Sequence, residues 1–163
     1  MATYPISSFQ YAGLISGGAG PIAAFVAEAY EKSRQKLQES FTLGQVAQGS
    51  FSELHHVYTE CSHRGWDGYG AEPISGAAFG FAYRFLNTLP LGTPAPSIGA
   101  EPDGHITLEW YKSPRRVLSV SVSPDGELHY AAFIGASKQY GTEPFYGVVP
   151  DAILEPIERV MVA

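Results

Sequence analysis

The sequence predicts an α+β two-layer sandwich, a four- or five-stranded antiparallel meander with helices packed on one face. Two observations predict it. Before residue 90 apolar side chains recur at three- and four-residue steps, the helical period, whereas from residue 98 they recur at every second residue, the strand period. Two Asp-Gly pairs, Asp103-Gly104 and Asp125-Gly126, punctuate the alternating region, and Asp-Gly between alternating runs marks a hairpin.

Residues 1–20 mix isolated apolar side chains with breakers and end in Ser16-Gly17-Gly18-Ala19-Gly20, so they read as a flexible arm ahead of a single domain over 21–163. A phosphate cradle would need Gly-Lys-Ser/Thr after those glycines, and none follows. Pro21 suits a first helical position, and Ile22, Phe25, Val26, Ala29, Ser33 and Leu37 predict a helix over 21–40. A break at 44–50 precedes a second helix with Phe51, Leu54, Val57, Tyr58 and Cys61 on its apolar face. Ser75 is placed to cap a third, whose stripe is Ala78, Phe79, Ala82, Phe85, Leu86 and Leu89 and which Pro90 and Gly92 end. Gly76 and Gly80 weaken its propensity, so its stability must come from packing, and their small size predicts a close approach to the sheet.

The strands follow as two hairpins, Ile98–Pro102 with His105–Tyr111 and Val117–Ser123 with Glu127–Ile134. Their alternation buries one face and leaves Thr107, Glu109, Ser119, Ser121 and His129 on the other. The segment 135–147, with Tyr140, Phe145 and Tyr146, reads as irregular, with room for a short edge strand. Pro150-Asp151 opens a last helix bearing Ile153, Leu154, Ile157, Val160 and Met161. Pro156 should kink or divide it, since a straight helix would bear about 3 kcal/mol there.

Composition narrows the function classes. With 45% hydrophobic and 16% charged residues, the chain has too much apolar surface and too little charge for intrinsic disorder. One cysteine excludes an intramolecular disulfide framework and a Cys-rich zinc module. No window offers the roughly 18 apolar residues of a membrane span, and residues 1–20 lack a basic stretch ahead of an apolar run. A cytoplasmic setting without membrane contact is the expectation. The net charge of −6, with Lys and Arg scattered, argues against a nucleic-acid partner. Arg115-Arg116, the one basic pair, reads as a solvated turn or else a clamp for phosphate or carboxylate. No motif for a cofactor is present.

Two sets of residues invite functional readings. On the polar side of the second helix stand Glu53, His56, Glu60 and His63, at spacings of 3, 4 and 3. His and Glu on successive turns are what a metal or a general acid/base pair requires, yet any amphipathic helix has a polar face and the His-Glu-x-x-His spacing is absent. The string Gly65-Trp66-Asp67-Gly68-Tyr69-Gly70-Ala71-Glu72-Pro73-Ile74 must turn tightly. It is either a recognition loop presenting Trp66 and Tyr69, or an anchor that sets Trp66 into the core while Asp67 caps local N–H groups. Tyr140 and Tyr146 add rings on backbone predicted to be irregular.

The strings Trp66 to Ile74, Pro102-Asp103-Gly104-His105-Ile106-Thr107-Leu108-Glu109-Trp110 and Leu118-Ser119-Val120-Ser121-Val122, with Leu89-Pro90 and Tyr130-Ala131, resemble a group of short bacterial proteins of uncharacterised function over about residues 60–160. The resemblance implies a bacterial cytosolic single-domain protein and brings no catalytic residue with it. The expectation is a small intracellular protein-interaction module, an inhibitor or antitoxin- or immunity-like neutraliser of a partner protein, contacting it through Trp66, Asp67, Tyr69, Tyr140 and Tyr146, with room for a homodimer. The alternatives are a metal-dependent hydrolase built on His56, Glu60 and His63, and a binder of a small ligand between helices and sheet.

Overall fold

The computed structural model describes residues 28, 30–32 and 48–161. The predicted arm at 1–20 and most of the predicted helix at 21–40 lie outside the described residues, and residues 28 and 30–32 are helical. The chain divides into two units, Met1–Ser40 and Phe41–Ala163. The second holds helix α1, described over 48–61, then α2 (Gly76–Thr88), β1 (Ser97–Ala100), β2 (Ile106–Ser113), β3 (Arg116–Val122), β4 (Glu127–Ile134), β5 (Ser137–Pro144) and α3 (Asp151–Met161). The strands form one antiparallel meander in the order β1-β2-β3-β4-β5. This is an α+β fold with the helices packed on the sheet.

The period of two decides which face they cover. Ile106, Leu108 and Trp110 of β2, Leu118, Val120 and Val122 of β3, and Leu128 and Ala132 of β4 are buried, while the residues between them are half-exposed or exposed. Trp110 is the largest fully buried side chain, and its indole N–H donates to the Pro94 carbonyl at 2.8 Å, so the ring is buried without stranding a polar group. Onto this face α2 brings Ala78, Ala82, Phe85 and Leu86, and α3 brings Ile153, Pro156, Ile157 and Val160. Helix α1 adds Leu54 and Cys61 to the same core and meets α2 through rings, Phe51 on Tyr83 at 4.9 Å and Tyr58 on Phe79 at 4.7 Å.

The two Asp-Gly hairpins share one turn. In Glu101-Pro102-Asp103-Gly104-His105 and Ser123-Pro124-Asp125-Gly126-Glu127, the first residue's N–H donates to the fifth residue's carbonyl and the glycine's N–H donates to the first residue's carbonyl. Both glycines have positive φ, +86° and +82°. This is a type I turn closed by a left-handed glycine, for which Pro-Asp-Gly supplies each preferred residue. Both turns lie at one end of the sheet. At the other end the two remaining turns are joined by a bond from the Gly135 N–H to the Arg115 carbonyl at 2.8 Å.

Four expectations need correction. The segment 135–147 is not mainly irregular, because β5 runs for eight residues as a full edge strand. Its inward positions are Gln139, Gly141 and Glu143, so it lacks the apolar alternation that betrays a strand. Gly141 is small because the Tyr130 ring lies over it: a Cβ there would sit 2.8 Å from the Tyr130 hydroxyl. Pro156 does not divide the last helix: α3 runs on through it, and the ring is buried in the core interface. The close approach expected of Gly80 is absent, since a Cβ on it would meet nothing within 4 Å. It occurs instead at Gly126, where a Cβ would stand 2.8 Å from the Phe81 ring of α2. Finally, α1 ends at Cys61, so His63 lies in the turn after the helix rather than on its polar face.

These two glycines should respond oppositely to the same substitution. Gly126→Ala forces a methyl into Phe81 and strains a positive φ, and should cost about 1–3 kcal/mol. Gly80→Ala should leave stability unchanged or raise it by up to about 1 kcal/mol through helix propensity. Urea unfolding of both variants checks the pair.

Candidate functional site

The two Pro-Asp-Gly turns gather polar groups at one end of the open sheet face. The register aligns Thr107, Ser121, His129 and Thr142 side by side across β2 to β5. His105, two residues before Thr107, shares that face, and its imidazole stacks on that of His129 with centroids 5.7 Å apart and planes 8° from parallel. Hydroxyls and carboxylates surround the pair. The Nδ1 of His105 lies 3.1 Å from the Ser121 Oγ, and the Nδ1 of His129 lies 2.9 Å from the Thr142 Oγ1. Asp103 approaches His105 and Glu127 approaches His129, each at 3.8 Å, while the Thr107 hydroxyl donates to Glu101.

The geometry limits the chemistry of this cluster. In a hydroxyl–imidazole–carboxylate relay the hydroxyl and the carboxylate occupy different ring nitrogens. At His105 Ser121 and Asp103 approach the same one, Nδ1. At His129 they are on different nitrogens, but Glu127 is beyond hydrogen-bond length. Glu101, Asp103 and His105 offer donor atoms within 4.8 Å of one another, the one such set of three among the described residues. Within the protein these residues have partners: Glu101 accepts from the Thr107 hydroxyl, Asp103 accepts from the His105 backbone N–H at 3.2 Å, and the His105 Nδ1 faces Ser121.

The rest of the face is smoother. Beside the histidine row run Glu109, Ser119, Ala131 and Tyr140, paired across four strands, and beyond them Tyr111, Val117, Phe133 and Lys138. Ser119 and Ala131 are small, so the centre of the face is low between Glu109 and Tyr140. Tyr140 is 82% exposed and Lys138 reaches over the Phe133 ring. The aromatic end and the histidine end thus flank a shallow centre of small side chains.

The Trp66–Ile74 loop packs beside the same end of the sheet. Its Glu72 N–H donates to the Pro102 carbonyl, and the Pro73 carbonyl lies 3.2 Å from where a Gly104 Cβ would be. Inside the loop Trp66 is half-buried against the core and its indole N–H donates to the Glu72 carbonyl at 3.1 Å. Asp67 accepts from the N–H groups of Tyr69 at 2.8 Å and Ala71 at 3.0 Å. Those bonds, from Ala71 first and Tyr69 second, hold its carboxyl below the ordinary carboxylate range. Trp66 and Asp67 are therefore the loop's internal fastenings. The rings of Tyr69, 95% exposed, and Tyr146, 89% exposed, project from their loops.

The helical residues are dispersed. His56 and Glu60 form an exposed pair at 3.5 Å, His63 is exposed past the end of α1, and Glu53 turns toward β1, accepting from the Ile98 N–H at 3.1 Å. Cys61 is buried, and burial with the adjacent Glu60 charge pushes its thiol pKa up, away from nucleophilic reactivity. Two clefts flank the joint Pro90 to Pro96, one against Phe51 and Leu86 and the other against Leu154, Ile157 and Met161. Both are mainly apolar, and neither contains the histidines. Sequence reasoning placed Thr107, Ser121 and His129 on the open face but missed Glu101, Asp103, His105 and Thr142. The signal for His105 was its position two residues before Thr107, on the same side of the pleat.

Comparison with protein families, curated proteins and solved structures finds no match for this chain.

The depressed Asp67 carboxyl makes a pH prediction. A folded pKa below the unfolded one contributes stability that is present above the ordinary carboxylate range and lost as pH falls through the folded value. Asp67→Asn should therefore lower Tm at neutral pH. The gap from the unsubstituted chain should close as pH falls from about 7 to about 2, which thermal unfolding across that range measures.

Proposed function

We propose that the chain is an interaction module that binds a partner protein through the open face of its sheet. The observation that carries the reading is the face itself. Across β2 to β4 one side of the sheet is sealed under helices, while the other side, continued onto β5, presents exposed Tyr140 and Tyr111, a low centre at Ser119 and Ala131, and a polar histidine end. Tyrosines around a shallow centre suit insertion of a partner's side chain, the arrangement in which a few residues dominate binding energy. Tyr69 and Tyr146, on loops at the histidine end, extend the surface.

The net charge of −6 favours a partner with a basic surface, attracted at long range. A role as an inhibitor or neutraliser, antitoxin- or immunity-like, fits such a surface. The histidine cluster lends less to a hydrolase, because its hydroxyl, imidazole and carboxylate groups do not line up as a relay.

Ala131→Arg fills the low centre from a position whose side chain faces away from the core. Used as matched baits in the native host, the unsubstituted chain should retain a stoichiometric protein that the Ala131→Arg chain loses. With that protein purified, affinity should fall at least about 30-fold for Ala131→Arg and about 10-fold for Tyr140→Ala. Added salt should slow association. Equal retention by both baits contradicts the reading.

A further inference from the structure

The two edges of the sheet are treated differently. Edge β1 is four residues long, follows Pro94 and Pro96, and has its outward Ile98 N–H capped by Glu53 of α1. Edge β5 is twice as long and has no such cover among the described residues, with Lys138, Tyr140, Thr142 and Pro144 all exposed. A long free edge offers a row of unpaired N–H and C=O groups to another strand.

Which groups face outward follows from the register. The two-residue turn Gly135-Ala136 is closed by the pair Ile134 and Ser137, which exchanges both hydrogen bonds in a turn of that length. Alternation then turns the backbone groups of Ser137, Gln139, Gly141 and Glu143 toward β4 and those of Lys138, Tyr140, Thr142 and Pro144 outward. Pro144, which has no N–H to offer, falls on the outward side, where it breaks no bond to β4.

We propose that this edge pairs with the β5 edge of a second copy of the chain, antiparallel about a two-fold axis at Tyr140, joining the two sheets into one of ten strands. The sequence of the edge selects that occupant and that register. With Tyr140 opposite its counterpart, Lys138 faces Thr142 in both directions and all three outward N–H donors are used. Moving the axis to Gln139 pairs Thr142 with Ala136 of the turn, moving it on to Lys138 sets Lys138 against Lys138, and moving it the other way to Gly141 sets Pro144 where a donor is needed. In the Tyr140 register the basic end of each strand, Lys138, meets the end of the other copy where Glu127 of the adjoining β4 stands on the same face. Strand-end charges are thus self-complementary under the two-fold, and the two Tyr140 rings form a cross-strand aromatic pair. The inference goes beyond the binding role and does not rest on it.

Sedimentation equilibrium of the full chain tests the pairing. The unsubstituted protein should sediment at twice the 17.6 kDa of one chain. Thr142→Pro removes an outward N–H without touching the bonds to β4, and should sediment as a monomer with an unchanged circular dichroism spectrum. Lys138→Glu, which cannot disturb backbone pairing, should raise the dimer dissociation constant at least about 10-fold, and Glu127→Lys added to it should restore the dimer. A chain that is monomeric at every accessible concentration overturns the proposal. So does a dimer that Lys138→Glu leaves unchanged, whether or not Thr142→Pro folds.

Discussion

Burial of one pleat of β2 and β3 is the constraint from which the rest of the structure follows. Ile106, Leu108 and Trp110 on β2 and Leu118, Val120 and Val122 on β3 are buried, and they pair directly across the strands. Because side chains alternate, sealing that row under α2 and α3 fixes Thr107, Glu109, Ser119 and Ser121 on the opposite face. A one-residue slip would exchange the two sets, so register is under strong selection by the core itself. The paired Pro-Asp-Gly turns and the Trp110 bond to Pro94 reinforce it. The same alternation that makes the core therefore also makes the candidate site.

The open face has a division of character that the core does not. One end is polar and crowded, with the stacked imidazoles, three hydroxyls and three carboxylates. The other is aromatic and carries Lys138. Between them Ser119 and Ala131 leave room. The polar end is tied to the loop of Trp66 through the Glu72 bond to Pro102 and to the segment after β5 through the Phe145 bond to Gly126. Substitution in either turn should thus be felt by both the fold and the surface.

Most of the fold was legible because its signals are local. The Pro-Asp-Gly turns, the Ser75 cap, which accepts from the Ala78 N–H, and the alternation of β2 to β4 each declare themselves within a few residues. What was not legible depends on partners distant in sequence. Strand β5 is written in Ser, Lys, Gln, Tyr, Gly, Thr, Glu and Pro, and it is a strand because β4 pairs with it and Tyr130 covers Gly141. The end of α1 is set by the Cys61 carbonyl, which accepts from the Ile74 N–H across the turn, so the spacing of His56, Glu60 and His63 could not reveal that the last had left the helix. The histidine pair joins residues on different hairpins. Only counting register outward from Gly126 would have set Ser121 beside His129.

The central claim is that one face of β3 is sealed while its other face is open to a partner. Thiol labelling of single cysteine substitutions tests it, with the buried, unreactive Cys61 as the background. Ser119→Cys should react with a maleimide in the folded chain, and Val120→Cys should react only on unfolding. Addition of the partner retained by the unsubstituted bait should protect Ser119→Cys. A Ser119→Cys thiol that is protected in the chain alone, or that stays equally reactive in the complex, would contradict the account.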